Sequence, residues 1–312
     1  RNSNIYKISA GVNHTIALKN DGTVWSWGDN TYGQLGDGGV LTSETENPIQ
    51  VSGVNGSKYL SDVVDIASGT YFSIALLKNG NVVAWGSNDY GQLGNIGEIS
   101  RKPVFVMDYN GNKLSGIVGV SASRNHAIAV KADGTVFTWG SNDYGQLGNN
   151  TKTSSAYAIQ VLDSTGNDYL KDVVQVSAGA AYVSVVKNDG TVWSWGAGAS
   201  AQMGDGARTQ RSLPVQAKNV TDVKKVATGC YITLVLKNDG TVWAWGLNRY
   251  GQLGIGVSST SSSNANYVRT TAVQVKLNST DYLTDVVDIG TAYESSFAVT
   301  SDGTAYAWGL NN

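Results

Sequence analysis

The residue types that most often carry out chemistry are few in this chain. It contains two histidines, His14 and His126, and one cysteine, Cys230. A histidine could act as a general base or ligate a metal ion, and a thiol beside a base could act as a nucleophile. Both histidines fall at one position of an internal repeat, which other copies fill with Phe72 and Ile232. Apolar replacements favour packing, so we expect neither a catalytic nor a metal-binding histidine, and nothing adjacent to Cys230 would activate its thiol.

Aspartates recur in two sets, and their repetition indicates a structural role. One set stands in Asp-Gly turns: Asp21, Asp133, Asp189, Asp239 and Asp302. The other set precedes an apolar run beginning with valine: Asp62, Asp172, Asp222 and Asp285. Carboxylates that bond their own backbone would explain both sets, so no pair for acid–base catalysis is expected. A calcium loop of the EF-hand form and a phosphate-binding Gly-Lys-Ser/Thr are absent from the sequence. We therefore predict a protein that is not an enzyme, with no catalytic residues, no metal and no cofactor.

The segment DGTVWSWG at 21–28 organises the chain, because five further copies of it follow at intervals of 50 to 63 residues. Its turn glycines are Gly22, Gly80, Gly134, Gly190, Gly240 and Gly303. Its last tryptophans are Trp27, Trp85, Trp139, Trp195, Trp245 and Trp308. Six copies in one chain indicate a repeat protein. We interpret these glycines and tryptophans as structural, the glycines closing β-hairpins and the tryptophans packing between repeats.

Each repeat predicts four short antiparallel strands. Two alternating apolar runs precede the Asp-Gly turn, the Trp-Gly strand follows it, and a fourth strand is predicted after a GQLG loop. Fourth strands are expected to start at proline, at Pro48, Pro103 and Pro214, as an edge strand permits. Because the chain stops at Asn312, the sixth repeat lacks this strand, which leaves 23 strands. The sequence thus predicts an all-β protein, a β-propeller of four-stranded antiparallel blades. Residues 1–312 would form one domain of six repeats, the last incomplete.

The order of three motifs resembles the regulator of chromosome condensation repeat family. The motifs are AG-x-x-H-x-x-A-L at 10–18, DG-x-V-x-x-W-G at 21–28 and N-x-x-G-Q-L-G at 30–36, and they recur along essentially the whole chain. The founding member of that family is a seven-bladed propeller. Six repeats predict six blades here, with seven as the alternative that the resemblance implies.

Composition restricts the partners. The net charge is −2 and charged residues make up 15% of the chain, so there is no basic field to hold a nucleic acid. No apolar run approaches the ~20 residues that span a bilayer, so no membrane insertion is expected. Richness in Gly, Ser, Asn and Thr at low charge suggests an extracellular or cell-surface protein of bacterial origin, with a cytoplasmic location as the alternative.

Antiparallel order assigns the loops to two ends of a blade. The turn between the first two strands and the GQLG loop share one end, and the residues that vary between copies at this end are the predicted partner-binding set: Asn13, Tyr71, Arg124, Tyr231, Arg249 and Tyr293. The end also carries the amide residues Asn88, Asn142 and Asn248. Tyr and Arg deliver large contact area with a polar handle, as protein interfaces require.

These observations predict a non-catalytic scaffold that binds a protein partner through one face of the propeller. Two alternatives stay open. The family resemblance implies guanine-nucleotide exchange on a small GTPase, and exposed Tyr and Asn side chains suit a carbohydrate-binding propeller.

Overall fold

Twenty-three β-strands and no helix occur in residues 4–39 and 44–311, the part of the chain that the computed structural model describes. Hydrogen bonding groups them into six antiparallel sheets, blades 1 to 6 in chain order. Blade 1 comprises β1 (Ile5–Ala10), β2 (His14–Lys19), β3 (Val24–Gly28) and β4 (Thr45–Gln50). Blade 2 comprises β5 (Val63–Ser68), β6 (Phe72–Leu77), β7 (Val82–Gly86) and β8 (Ser100–Phe105). Blade 3 comprises β9 (Ile117–Ser123), β10 (His126–Lys131), β11 (Val136–Gly140) and β12 (Ser155–Gln160).

The remaining strands continue the pattern. Blade 4 comprises β13 (Val173–Ala178), β14 (Tyr182–Lys187), β15 (Val192–Gly196) and β16 (Arg211–Gln216). Blade 5 comprises β17 (Val223–Thr228), β18 (Ile232–Lys237), β19 (Val242–Leu247) and β20 (Val268–Gln274). Blade 6 comprises β21 (Val286–Ala292), β22 (Ser295–Thr300) and β23 (Ala305–Gly309). Strands follow one another in space as in sequence within every blade. The predicted fold class, an all-β propeller of six blades with a three-stranded last blade, is confirmed.

The chain divides into two compact units. Arg1–Asp143 with Lys152–Val161 form the N-terminal unit, which contains blades 1 to 3. Tyr144–Thr151 with Leu162–Asn312 form the C-terminal unit, which contains blades 4 to 6. The single domain stays a prediction.

The Asp-Gly turns close the hairpins as their residue types require. Asp21 Oδ1 accepts hydrogen bonds from the Thr23 backbone N–H at 3.0 Å and from its hydroxyl at 2.6 Å. Gly22 adopts a φ of 79°, a conformation that disfavours residues with a Cβ. The second set of aspartates behaves differently from the expectation. Asp62 has a φ of 56° and its backbone carbonyl accepts from Lys78 N–H. Gly116, with a φ of 72°, occupies the equivalent place in blade 3, so this position requires a left-handed backbone rather than a carboxylate.

Within each unit, neighbouring blades pack through apolar sheet faces. In the N-terminal unit, Ile16 and Leu18 of blade 1 pack against Ile66 and Trp85 of blade 2. In the C-terminal unit, Leu234 and Val242 of blade 5 pack against Ile289, Ala298 and Trp308 of blade 6. Neighbouring residues of β6 serve two different interfaces, because Ala75 packs with residues of blade 1 and Ile74 packs with residues of blade 3. This explains the nearly continuous apolar run of that strand.

The prediction that proline starts the fourth strand is wrong by three residues. Pro48, Pro103 and Pro214 each stand fourth in β4, β8 and β16. The pairing of β3 with β4 shifts register between Ser26 and Gly28, opposite this proline. A bulge on an edge strand leaves a residue without a ladder hydrogen bond, so the missing N–H of proline costs nothing there.

Candidate functional site

One end of blades 1 to 5 gathers both variable loops, and we call this end, with the corresponding end of blade 6, the loop end. The turn between the first two strands lies against the start of the loop that follows the third strand. Ser87 N–H donates to Tyr71 C=O at 2.9 Å in blade 2, and Leu247 N–H donates to Tyr231 C=O at 2.9 Å in blade 5. The Asp-Gly turns lie at the opposite end, as antiparallel order demands.

The GQLG loop folds through its own side chains. In the loop after β7, Gln92 Oε1 accepts from Tyr90 N–H at 2.9 Å and Asn88 Oδ1 accepts from Leu93 N–H at 2.9 Å. Asn88 Nδ2 donates to the carbonyls of Asn95 and Gly97. The amide residues therefore do not form the binding surface that their type suggested. Asn88, Asn142 and Asn248 are buried and hold the loop together.

Each GQLG loop is fixed to a tryptophan of the following blade, a contact that we call the GQLG latch. The indole N–H donates to the backbone carbonyl of the loop glutamine. The pairs are Trp85 with Gln34 at 2.9 Å, Trp139 with Gln92 at 2.9 Å, Trp195 with Gln146 at 2.9 Å, Trp245 with Gln202 at 2.8 Å and Trp308 with Gln252 at 3.0 Å. In three blades a hydroxyl of the second strand reaches the same carbonyl: Ser73, Thr233 and Ser296. The latch fixes the root of the loop on a buried strand.

In the N-terminal unit, the predicted partner-binding residues lie at the loop end. Asn13 and Arg124 are exposed, and Tyr71 is half-buried. The Tyr71 ring contacts that of Tyr32, with centroids 4.8 Å apart and planes inclined by 32°. This pair joins the turn of blade 2 to the loop of blade 1, so its exposed edges belong to a supported aromatic surface.

In the C-terminal unit, Arg249 and Tyr250 stand together in the loop after β19, with the guanidinium 5.1 Å from the ring centroid. Tyr293 is 61% exposed and Tyr231 is half-buried. Glu294 follows Tyr293 and is buried, which the sequence did not predict. Burial raises the pKa of Glu294, and the charge of Arg249 opposes that rise. The only sequence signal for this buried residue was its type, because the copies in blades 1 and 2 have Asn13 and Tyr71 at the equivalent position.

The turn residues occupy two different positions, a distinction that the sequence comparison missed. Arg124 and Tyr293 stand two residues before the second strand, whereas Tyr71 and Tyr231 stand directly before it. Arg124 and Tyr293 have positive φ angles of 42° and 27°. Their carbonyls accept from Thr70 N–H at 2.9 Å and Cys230 N–H at 3.0 Å, respectively, in the preceding blades. The equivalent residue of blade 1 is Val12, an exposed apolar side chain that counting back from His14 would have identified.

The histidine position lies between blades. His14 is buried and its Nε2 is 2.9 Å from Ser73 Oγ of blade 2. Burial lowers the pKa of His14 to about 4, although Asp29 opposes the shift. The equivalent Tyr182 of blade 4 makes a parallel contact, donating its hydroxyl to Ile232 C=O. This position therefore serves blade packing. Across the described residues, no group of three or more His, Cys, Asp or Glu side chains could hold a metal ion. Nor does that part of the chain include a helix able to cross a membrane.

Comparison with known proteins identifies the repeat. A model of the regulator of chromosome condensation (RCC1) repeat matches residues 21–76, 79–130, 133–186, 189–236 and 239–299. A second model of that repeat matches residues 5–34, 63–92, 117–146 and 223–252.

Two curated relatives are large proteins of which this chain resembles a part. The human "Probable E3 ubiquitin-protein ligase HERC6" is 35% identical over 217 residues, which are 68% of this chain and 20% of that protein. The rat "Probable E3 ubiquitin-protein ligase HERC4" is 31% identical over 216 residues, which are 69% of this chain and 19% of that protein. The chain spans about a fifth of the length of these relatives.

Two solved structures share the fold. Human WBSCR16 aligns with a TM-score of 0.82 at 21% identity, covering 100% of this chain and 78% of that one. Yeast RCC1 (Prp20), solved bound to Kap60, aligns with a TM-score of 0.78 at 23% identity, covering 98% and 70%.

Proposed function

Since this chain belongs to the regulator of chromosome condensation (RCC1) repeat family, we propose that it is a non-catalytic scaffold that binds a partner protein through the loop end of its blades. One observation carries the proposal. The residues that repeat make contacts that stabilise the fold, whereas the exposed residues at the loop end differ from blade to blade. A rigid frame with variable, exposed Tyr and Arg on its loops is the arrangement that specific protein recognition uses.

The contacts of the repeated polar residues support a structural role for them. The Asp21 carboxylate bonds its own turn, the Asn88 amide bonds its own loop and the His14 ring packs between blades. Catalysis would need such groups directed at a substrate. Arg124 and Arg249 are exposed, and Tyr71 and Tyr231 are half-buried. Tyr71 contacts the ring of Tyr32, and Arg249 lies over the ring of Tyr250.

Relatives support a protein partner by analogy. Yeast RCC1 (Prp20) was solved bound to Kap60, and a second study of it describes binding to Gsp1p and histones. Those partners belong to that protein. The shared fold supports protein binding as the kind of function that this chain has. It does not identify the partner.

Paired variants test the proposal in each unit separately. Tyr71→Ala with Arg124→Ala changes the N-terminal unit, and Tyr231→Ala with Arg249→Ala changes the C-terminal unit. The matched control is Tyr59→Ala with Tyr169→Ala, which removes two exposed tyrosines located in the linkers before β5 and β13. Affinity capture from the native source, quantified by mass spectrometry, should recover a protein that at least one loop-end pair loses and the control retains.

Other outcomes would replace this function with a rival. A captured GTPase whose nucleotide release the protein accelerates would establish exchange activity. Binding to a glycan array that Tyr293→Ala abolishes, without a protein partner, would establish a carbohydrate-binding propeller. Equal recovery by all variants would contradict the loop end as the binding site.

A further inference from the structure

Three Asn-Gly pairs occur in the chain: Asn55-Gly56, Asn79-Gly80 and Asn110-Gly111. Such a pair can modify itself, because the backbone nitrogen of the glycine can attack the side-chain amide carbon of the preceding asparagine. Glycine has no Cβ that would hinder this approach. All three asparagines are exposed, so exposure does not distinguish the pairs. The hydrogen bonds of the glycine N–H groups do distinguish them.

The turn at 54–57 leaves both reacting groups of its Asn-Gly pair without hydrogen bonds. Ser57 N–H donates to Val54 C=O at 3.1 Å, and the two central residues have positive φ angles, 55° for Asn55 and 86° for Gly56, the pattern of a type I′ turn. Within the described residues, neither the Gly56 N–H nor the Asn55 side-chain amide has a hydrogen-bond partner. A Cβ on Gly56 would meet no atom within 4 Å. The peptide group that joins Asn55 to Gly56 therefore has space to rotate.

Hydrogen bonds hold the glycine amides of the other two pairs. Gly80 N–H donates to Leu77 C=O at 2.8 Å, and Gly111 N–H donates to Asp108 C=O at 3.0 Å. The Asp108 carboxylate also accepts from Asn110 N–H at 2.9 Å, which places a negative charge beside that pair. Each of these two glycine amides must break a hydrogen bond before its nitrogen can attack.

Charges near Asn55 favour the attack. Asn55 borders a cleft whose lining includes three lysines, Lys58, Lys102 and Lys113. Asp37 is the only acidic residue among the described residues that line this cleft. The attacking species is the deprotonated backbone nitrogen, and nearby positive charge stabilises an anion.

We propose that Asn55 is a site of spontaneous deamidation, which converts it to aspartate or isoaspartate. Gly56 N forms a bond to Asn55 Cγ, and the Cγ–Nδ2 bond breaks to release ammonia, which carries away the proton of the backbone amide. The resulting succinimide then adds one water molecule, with no change of oxidation state. Hydrolysis at Cγ gives aspartate, whereas hydrolysis at the backbone carbonyl carbon gives isoaspartate. Either product adds one negative charge beside the lysines, and the reaction does not depend on partner binding at the loop end.

Peptide mapping of the aged protein tests the site. The full chain is incubated in a mildly alkaline buffer, and samples taken over time are digested with trypsin for mass spectrometry. Cleavage after lysine and arginine places the three asparagines in different peptides, 20–58, 79–101 and 102–113. Asn55 should deamidate at least about fivefold faster than Asn79 or Asn110, the factor expected when one neutral hydrogen bond has to open first. A protein isoaspartyl methyltransferase should label the peptide 20–58.

The unfolded chain is the control for the sequence alone. In concentrated guanidinium chloride the three asparagines, each followed by glycine, should deamidate at similar rates. Asn55→Gln should abolish modification at position 55, because the longer side chain closes a ring less readily, and Asn110→Gln should leave the rate at Asn55 unchanged. Equal rates at the three sites of the folded chain, a faster reaction at Asn79 or Asn110, or an intact Asn55 in the folded chain under conditions where the unfolded chain loses it would each overturn the proposal.

Discussion

The indole N–H of Trp85 donates to the carbonyl of Gln34 across 2.9 Å, joining a surface loop of blade 1 to a fully buried strand of blade 2. The same carbonyl also accepts from Ser73 Oγ at 3.1 Å. Because both donors are buried, the loop cannot leave this place without exposing unpaired polar groups. The loop end is therefore held by the core of the neighbouring blade.

Loss of one latch should destabilise the fold. We expect Trp245→Phe to lower the free energy of unfolding by about 2–3 kcal/mol, since it removes a buried donor and leaves a small cavity. Trp193→Phe is the matched control. Trp193 is half-buried and its indole N–H bonds Thr191 within the same turn, so a loss below about 1 kcal/mol is expected. Urea unfolding followed by circular dichroism measures both; equal losses would contradict a special role for the latch.

The last glycine of the loop is restricted by packing as well as by its backbone. In Gly94→Ala the new Cβ would lie 2.5 Å from Val106 Cγ1 and 3.2 Å from the Trp139 ring, at a φ of +64°. Gly111→Ala has a φ of +78° but meets nothing within 4 Å. We expect a cost of about 1 kcal/mol for Gly111→Ala and about 3 kcal/mol for Gly94→Ala, because overpacking adds to the backbone strain. Thermal unfolding of both variants measures the two losses. Equal losses would show that the cost comes from the positive φ alone and not from packing.

Blade 4 departs from the repeat by placing Ala201 where other loops have glycine. Ala201 nevertheless adopts a φ of 63°, and the loop still forms its latch through Gln202. Ala201→Gly should therefore stabilise the protein slightly, by at most about 0.5 kcal/mol, because the relief of left-handed strain is largely offset by the loss of a fully buried methyl group and by the backbone entropy of glycine. Ala199→Gly, an exposed position in the same loop without positive φ, should be neutral or slightly destabilising. A lower melting temperature for Ala201→Gly would show that the loop relaxes around alanine.

His14 should make stability depend on pH. Its pKa is about 4 in the folded chain and 6.5 ordinarily, so the unfolded state binds the proton more readily. Stability from this group is present above pH 6.5 and declines as the pH falls toward 4, by about 3 kcal/mol in total. His14→Phe, which copies Phe72 of blade 2, should flatten this part of the profile. Urea unfolding midpoints of both proteins, measured between pH 4 and 7, test this pH dependence. Parallel profiles for the parent and the variant would show that a group other than His14 causes it.

The sequence predicted the blades because their signals are local. Gly22 and its five equivalents mark tight turns, and the alternation of apolar and polar residues between these turns marks the strands. Six blades with a three-stranded last blade could therefore be predicted. The GQLG latch joins Gln34 to Trp85, 51 positions apart, and no local pattern encodes such a pairing. The burial of Asn88 was not predicted for a related reason. Whether an amide side chain in a loop is exposed or buried depends on where the loop places its hydrogen-bond partners, which the sequence does not show. The variable residues were placed at the correct end, but Arg124 and Tyr293 were aligned one position away from their true equivalents.

A partner protein should contact the loop end of the blades. Hydrogen–deuterium exchange of the protein with and without the captured partner measures this contact. We expect slowed exchange in the turns at 69–72, 123–126 or 229–232 and in the loop at 248–251, with unchanged exchange at the Asp-Gly turns at 20–23 and 188–191. Protection confined to the Asp-Gly turns, with the loop end unchanged, would contradict it.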